Sequence, residues 1–269
     1  MGLFARVHIY ILLLLVVLLV SCSSSRVTYD GRDVLVVAHR GGMSLGPENS
    51  LCAIGRSIAV GADAVEVDVR LTADGVPVLM HDAGVGRTTN GKGLVRDFTL
   101  AQLRGLRLLD GEGRITDERV PTLEDVLACV DGRCGVLIEV KGDACGIEHE
   151  IIRIVELYGA VEWVAVQSFN DGVLERFAAL GASFPLEKLL VFKLPLLPYL
   201  FDGTLRRFSM EKYGYVSSFN IRKCFIRKGL VDKLKAAGKG VKAWTFKDGR
   251  GSFAAPVDGV ITDSPQCWE

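Results

Sequence analysis

The chain has little of several things. Its 269 residues include four histidines, eight prolines and three tryptophans, and 32 Lys+Arg balance 32 Asp+Glu. A formal net charge of zero gives no bulk attraction for a polyanion, so no nucleic-acid partner is expected, although a local anion pocket remains open. No C-x-x-C occurs, which argues against a zinc ribbon or a thioredoxin-type site. The 30 glycines follow no triplet period, which excludes a collagen-like chain. The apolar run from Ile9 to Val20 rises about 18 Å as a helix, too short for a bilayer core of ~30 Å. What is present is 49% hydrophobic and 24% charged, which excludes a disordered chain. A chain of this length buries roughly 70–75% of its unfolded surface and needs no covalent staples.

Arg6 and His8 precede that short apolar run, and Ser21 to Ser25, with Cys22 among them, follow it. A short positive region before a short apolar run reads as a secretory signal. Its end, Leu19-Val20-Ser21-Cys22, resembles the bacterial lipobox, where cleavage precedes a cysteine whose thiol takes diacylglycerol. The reading is a signal peptide over 1–21, a tether over 22–32 and one domain over 33–269. The protein would be exported and held at a membrane, on the periplasmic or cell-surface side, by lipid on Cys22. Secretion with a free cysteine and an uncleaved anchor are the alternatives. Of the other cysteines, Cys129 and Cys134 flank Asp131-Gly132-Arg133. In an exported chain they either pair across that turn or remain thiols.

Short β-branched runs alternate with helical stretches. Strands are predicted at 34–38, 64–70, 76–80, 136–140, 163–167, 188–192, 215–218, 241–245 and 259–262. Helices are predicted at 48–60, 123–130 with Thr122 as cap, 147–157, 171–180 and 229–237. This alternation implies a mostly parallel sheet, and eight or so strands in a single domain fit a distorted (β/α)8 barrel of the α/β class. Nine candidates are one too many, so one is misread or lies outside the barrel. Only Thr72 to Gly75 separate the second and third strands, too few for a parallel crossover, so a short hairpin is expected there. If Leu71 faces Val76, Glu66 lies opposite His81 on a shared face. The proline-broken apolar stretch from Leu194 to Phe201 cannot be a regular helix interior and reads as a packed loop or an exposed lip.

The charged residues concentrate at predicted strand ends. The first strand runs into His39-Arg40-Gly41-Gly42. On the second, alternation puts Glu66, Asp68 and Arg70 on one face; on the fourth, Glu139 and Lys141 share a face. Such charges are costly to bury unpaired. Three carboxylates from separate strand ends offer hard oxygen ligands for one divalent cation, Ca²⁺ or Mg²⁺. His39 and His81 beside them suit general acid–base chemistry, and Arg40 and Lys141 suit an anionic substrate. Together these favour phosphoryl transfer over acyl transfer. The bland alternative is a set of buried ion pairs, Glu66 with Arg70 and Glu139 with Lys141. Gly86 to Gly93 lacks the hydroxyl residue a phosphate-cradling nucleotide loop needs after Lys92, and His149-Glu150 lacks the second histidine of a zinc-protease helix.

His39-Arg40-Gly41 followed by Pro47-Glu48-Asn49-Ser50 resembles the opening signature of the glycerophosphodiester phosphodiesterases. The likeness continues in order through Gly61-Ala62-Asp63, Glu66-Val67-Asp68, Leu71 to Gly75, Pro77 to Asp82, Arg87-Thr88-Thr89, Pro121-Thr122-Leu123 and Ile138 to Lys141. Ser168-Phe169-Asn170, Trp244-Thr245 and Asp258 to Asp263 complete it. Ser50 stands where Thr is usual, and Phe246-Lys247 where Val-Asn is common. The resemblance implies a metal-dependent hydrolase that cleaves a small-molecule glycerophosphodiester to an alcohol and glycerol 3-phosphate. It gives His39 and His81 as the acid–base pair, Glu66, Asp68 and Glu139 as metal ligands, and Arg40 and Lys141 as phosphate contacts. It further implies that Trp244 lines the glycerol pocket and that Glu48 and Asn49 support the first loop. Relatives acting on phosphatidylinositol or lysophospholipids, and a lipid-anchored binding protein without catalysis, are the rival readings.

Overall fold

The computed structural model describes residues 34–191, 210–247 and 255–268 in full, with the backbone of 27–28 and 252–253. The expected signal, Cys22, the rest of the tether and the apolar stretch 194–201 lie outside the described residues.

Eight parallel strands close a barrel: β1 (Leu35–Ala38), β2 (Ala64–Leu71), β4 (Gly135–Val140), β5 (Val164–Ser168), β6 (Leu186–Leu190), β7 (Ser218–Arg222), β8 (Gly240–Phe246) and β9 (Gly259–Thr262). β9 pairs back onto β1, with Thr262 beside Ala38. The strand predicted at 76–80 is the extra one: β3 (Pro77–Leu79) is extended but outside the barrel and pairs antiparallel with the far end of β2. Helices α1 (Leu51–Ala59), α3 (Leu123–Val130), α4 (Ile147–Leu157), α5 (Asp171–Ala179) and α6 (Lys228–Ala236) sit outside, with a single-turn α2 (Leu100–Leu103) in the excursion after β3. Among the described residues no helix is long and apolar enough to cross a membrane.

Alternation along the strands builds two different faces. Val65, Val67 and Val69 of β2 and Val136, Ile138 and Val140 of β4 point outward into a buried apolar layer with α3 and α4. Each such side chain contributes roughly 1.5–3 kcal/mol by leaving water. The inward residues are small apolar plugs, Val37, Leu137 and Ile261, and above them a polar layer. The helices begin where their caps dictate. Ser50 Oγ accepts the Ala53 N–H at 3.1 Å, so α1 starts three residues later than the apolar spacing indicated. Thr122 and Asp125 form the capping box that fixes α3 at its predicted bounds.

Further details differ from the sequence expectation, among them β6, which lies at Leu186–Leu190 rather than 188–192. The β2–β3 hairpin pairs Leu71 with Pro77 and Val69 with Leu79, one residue out of the expected register. Gly75 is the cause: at φ +78° it adds a bulged residue to the turn, its N–H bonding Thr72 O while Thr72 N–H bonds Val76 O. A slip of one residue reverses every side chain, so Glu66 and His81 are not cross-strand partners. β7 lies at 218–222 rather than 215–218, because Phe219 and Ile221 supply the outward apolar contacts while Asn220 points in. All six cysteines among the described residues are free, so Cys129 and Cys134 are not bridged. Burial pushes the Cys134 thiol up to about 11.

Candidate active site

Parallel pairing assembles the acidic cup. Asp68 of β2 lies beside Glu139 of β4, which lies beside Gln167 of β5. Glu66 sits two residues below Asp68 on the same inner face, and all three carboxylates are buried. One oxygen from each of Glu66, Asp68 and Glu139 lies within 4.8 Å of the other two. Beneath them Gln167 approaches Glu66 at 3.5 Å, Asn220 donates to Gln167 and Glu187, and Lys242 pairs with Glu187. The cup therefore rests on a bonded polar floor.

The electrostatics are those of a site short of positive charge. Burial, then the neighbouring Asp68 charge, pushes the Glu66 carboxyl up to about 8. Burial also raises Glu139, with Asp68 adding to it against the pull of Lys141. Burial pushes Asp68 the same way, but Lys141, His81 and Arg40 outweigh it and hold Asp68 below the usual carboxylate range. Lys141 Nζ stands 3.1 Å from Asp68 Oδ1 and 2.5 Å from Glu139 Oε1. Neither oxygen accepts a well-directed hydrogen bond, despite complete burial. Three buried carboxylates this close together, sharing the single ammonium of Lys141, fit a hard divalent cation, which would restore the charged form of Glu66.

The expected bland pairings are half present: Glu139 does pair with Lys141, whereas Glu66 bonds the Arg40 backbone N–H at 2.8 Å and not Arg70. That bond needs an unusual chain path. Arg40, Gly41 and Gly42 run at φ +50°, +79° and +99°. A Cβ on Gly42 would lie 2.2 Å from Ser57 Oγ, so glycine is required there. The Arg40 side chain bonds Glu48 at 3.1 and 3.2 Å and reaches Asp68 at 3.5 Å. Asn49 grips Asp68 twice, its amide donating to Oδ2 at 2.9 Å and its carbonyl accepting the Asp68 N–H at 3.0 Å.

His39 and His81 line one cavity of about 120 Å³ together with Arg40, Glu66, Glu139 and Lys141. Trp244 and Phe169 form its apolar wall, packed edge to face at 5.6 Å, with the Trp244 indole N–H held by Asn220 O. Each imidazole has a carboxylate behind it: His39 Nδ1 meets Asp263 at 2.6 Å and His81 Nδ1 meets Asp82 at 2.7 Å. Burial lowers the proton affinity of His39, but the Asp263 hydrogen bond and the Glu66 charge outweigh it, and the pKa is raised. For His81 burial wins, aided by Lys141 and Arg40 against Asp68, and the pKa is lowered. The two rings are thus shifted in opposite directions.

Asp82, Asp263, Arg87, Gln167 and Phe169 also stand at the site, although the sequence alone assigns them no role. Thr262 pairs with Ala38, so closure of the barrel brings together Asp263 and His39, the residues just past the ends of β9 and β1. His81 follows β3 in a bend, and Arg70 fixes it by donating Nε and Nη2 to the His81 carbonyl.

A closed parallel barrel with two carboxylate-backed imidazoles and an acidic cup at its mouth defines a barrel hydrolase built for a small anionic substrate. The glycerophosphoryl diester phosphodiesterase family matches residues 39–267, and the chain belongs to that family. A glycerophosphodiester phosphodiesterase of Caldanaerobacter subterraneus is 34% identical over 242 residues, covering 86% of this chain and 95% of that protein. Among solved structures, a glycerophosphodiester phosphodiesterase from Agrobacterium tumefaciens superposes with TM-score 0.69 at 26% identity, covering 87% of this chain and 99% of the other. An Oleispira antarctica phosphodiesterase in complex with the product sn-glycerol-3-phosphate superposes with TM-score 0.68 at 27% identity, covering 86% and 93%.

Proposed function

We propose that this chain hydrolyses glycerophosphodiesters to glycerol 3-phosphate and an alcohol, with one divalent cation, Ca²⁺ or Mg²⁺, held by Glu66, Asp68 and Glu139. The observation that carries the reading is the cavity in which both imidazoles, the acidic cup and two cationic side chains converge. When bound, the cation supplies positive charge to oppose that developing on phosphate. Arg40 and Lys141 oppose the same charge from the protein side. One imidazole takes the proton from the nucleophile, either water or the substrate's own glycerol hydroxyl. The other gives a proton to the departing alkoxide. Asp263 and Asp82 fix which ring nitrogen faces the substrate. Trp244 and Phe169 offer an apolar wall to the glycerol carbons.

The test is release of glycerol 3-phosphate from glycerophosphocholine by the purified protein, with and without chelator. Product that disappears with chelator and returns with added Ca²⁺ or Mg²⁺ supports the reading; no product under any condition favours the anchored binding protein. Product from lysophospholipid alone, and none from the soluble diester, favours the lipid-directed alternative. The lipobox-like Leu19 to Cys22 further supports export and anchoring through lipid on Cys22. Labelled fatty acid incorporated by the full chain, and lost in Cys22→Ala, is the check.

A further inference from the structure

The catalytic cavity, at about 120 Å³, is well below the roughly 300–1,000 Å³ of a typical small-molecule site. Part of a diester with a bulky alcohol therefore extends beyond it. A second cavity of about 430 Å³ adjoins it, and Lys141 lines both. Its lining comes from the ends of β2 and β4 and from the excursion after β3. It includes Arg70, Leu94, Arg96 and Asp143.

The charges in this second cavity are uneven. Arg70 is partly buried, and two of its nitrogens go to the His81 carbonyl. Among the described residues it makes no ion pair. Its Nη1 faces Gly142, where an added Cβ would lie 3.5 Å away. Arg96 is exposed and has only a loose contact at 3.9 Å with Asp97. Asp143, the opposing charge, is engaged by Arg176 on the outer side. Lys141 is already neutralised by Asp68 and Glu139. Neither guanidinium group is thus held by a close carboxylate: Arg70 makes no ion pair among the described residues and Arg96 has only the 3.9 Å contact with Asp97, and both lie beside an apolar floor of Leu71, Ala83, Leu94 and Val95.

We propose that this second cavity is the subsite for the leaving alcohol, and that Arg70 and Arg96 select alcohols bearing a further anionic group, a phosphate or a carboxylate. The inference rests on the hydrolase reading above, since it assigns the other half of that substrate. Trp244 and Phe169 give the catalytic cavity its apolar wall, which takes the glycerol carbons, and the second cavity, sharing Lys141 with the first, is left for the alcohol. Guanidinium is suited to either anion because its planar fork matches two oxygens at once.

Matched substrate pairs test this. One pair is glycerophosphoglycerol with and without a terminal phosphate on its leaving glycerol. The other is glycerophosphoserine against glycerophosphoethanolamine, which differ by a carboxylate. The proposal predicts that kcat/KM favours the anionic member of at least one pair by roughly tenfold, the effect of one charged hydrogen bond. In Arg96→Gln that preference shrinks by about threefold or more, as loss of an exposed ionic contact implies. Product from every diester with equal kcat/KM overturns the subsite and leaves the hydrolase reading standing, as does a preference that Arg96→Gln leaves unchanged. No product from any of the four overturns the hydrolase reading itself.

Discussion

Glu48 and Arg87 meet edge to edge, with Oε1 2.7 Å from Nη2 and Oε2 2.8 Å from Nη1. The contact ties the loop after β1 to the excursion after β3. It also continues in both directions: Glu48 holds Arg40, and Arg87 Nε holds Asp82, which holds His81. One chain of five residues therefore sets the positions of Arg40, proposed to contact phosphate, and His81, proposed as one of the acid–base pair, together.

Arg87→Ala breaks that chain at a half-exposed side chain outside the core. We expect the fold to survive and kcat/KM for glycerophosphocholine to fall roughly 10–100-fold, as for other supporting contacts behind active groups. Arg87→Lys keeps the charge but not the fork, and should recover only part. Activity and circular dichroism on the two variants check this.

His39→Ala and His81→Ala should each lower turnover by roughly 10²–10⁴ or more with little change in the melting temperature. Asp263→Asn and Asp82→Asn should reduce turnover less, because each ring keeps its place but loses the carboxylate behind it. Steady-state rates at saturating substrate read the difference.

The pH dependence of stability should carry the mark of Asp82. Burial pushes its pKa up, but the hydrogen bonds from Arg87 and His81 outweigh this and hold it at about 2, below the ordinary 3.8. The folded state binds this proton less readily than the unfolded chain. Its contribution is therefore complete above pH 3.8 and is lost as pH falls towards 2. Urea midpoints across that window should drop less steeply in Asp82→Asn than in the natural chain.

Asn49 is irreplaceable in a different way. It stands at φ +56° and supplies both a donor and an acceptor to buried Asp68. Asn49→Ala leaves those groups unpaired, each at about 1–3 kcal/mol, and adds strain at a left-handed backbone. A lower melting temperature together with weaker divalent-ion affinity is the expected outcome; loss of stability without loss of ion affinity would limit Asn49 to the fold.

Much of this site was legible because strand alternation is strict. Glu66 with Asp68, and Glu139 with Lys141, could be placed on shared faces from spacing alone, and Thr122 and Leu157 marked real helix ends. The hairpin register was not legible, since it turned on Gly75 adding one bulged residue to a turn that spacing reads as shorter. β7 was displaced because the inward Asn220 disguises its alternation. Asp82 and Asp263 look in sequence like ordinary polar residues after a histidine or a strand; only the closed barrel and the bend after β3 show each behind an imidazole.

The central claim is that Glu66, Asp68 and Glu139 together hold one divalent cation between His39 and His81. Calorimetric titration of metal-free protein with Ca²⁺ and with Mg²⁺ tests it most directly. The account predicts one site per chain for at least one of the ions, a melting temperature that rises with its concentration, and loss of both effects in Asp68→Asn and Glu139→Gln. Absence of binding in the natural chain, or binding that persists undiminished in both variants, would contradict it.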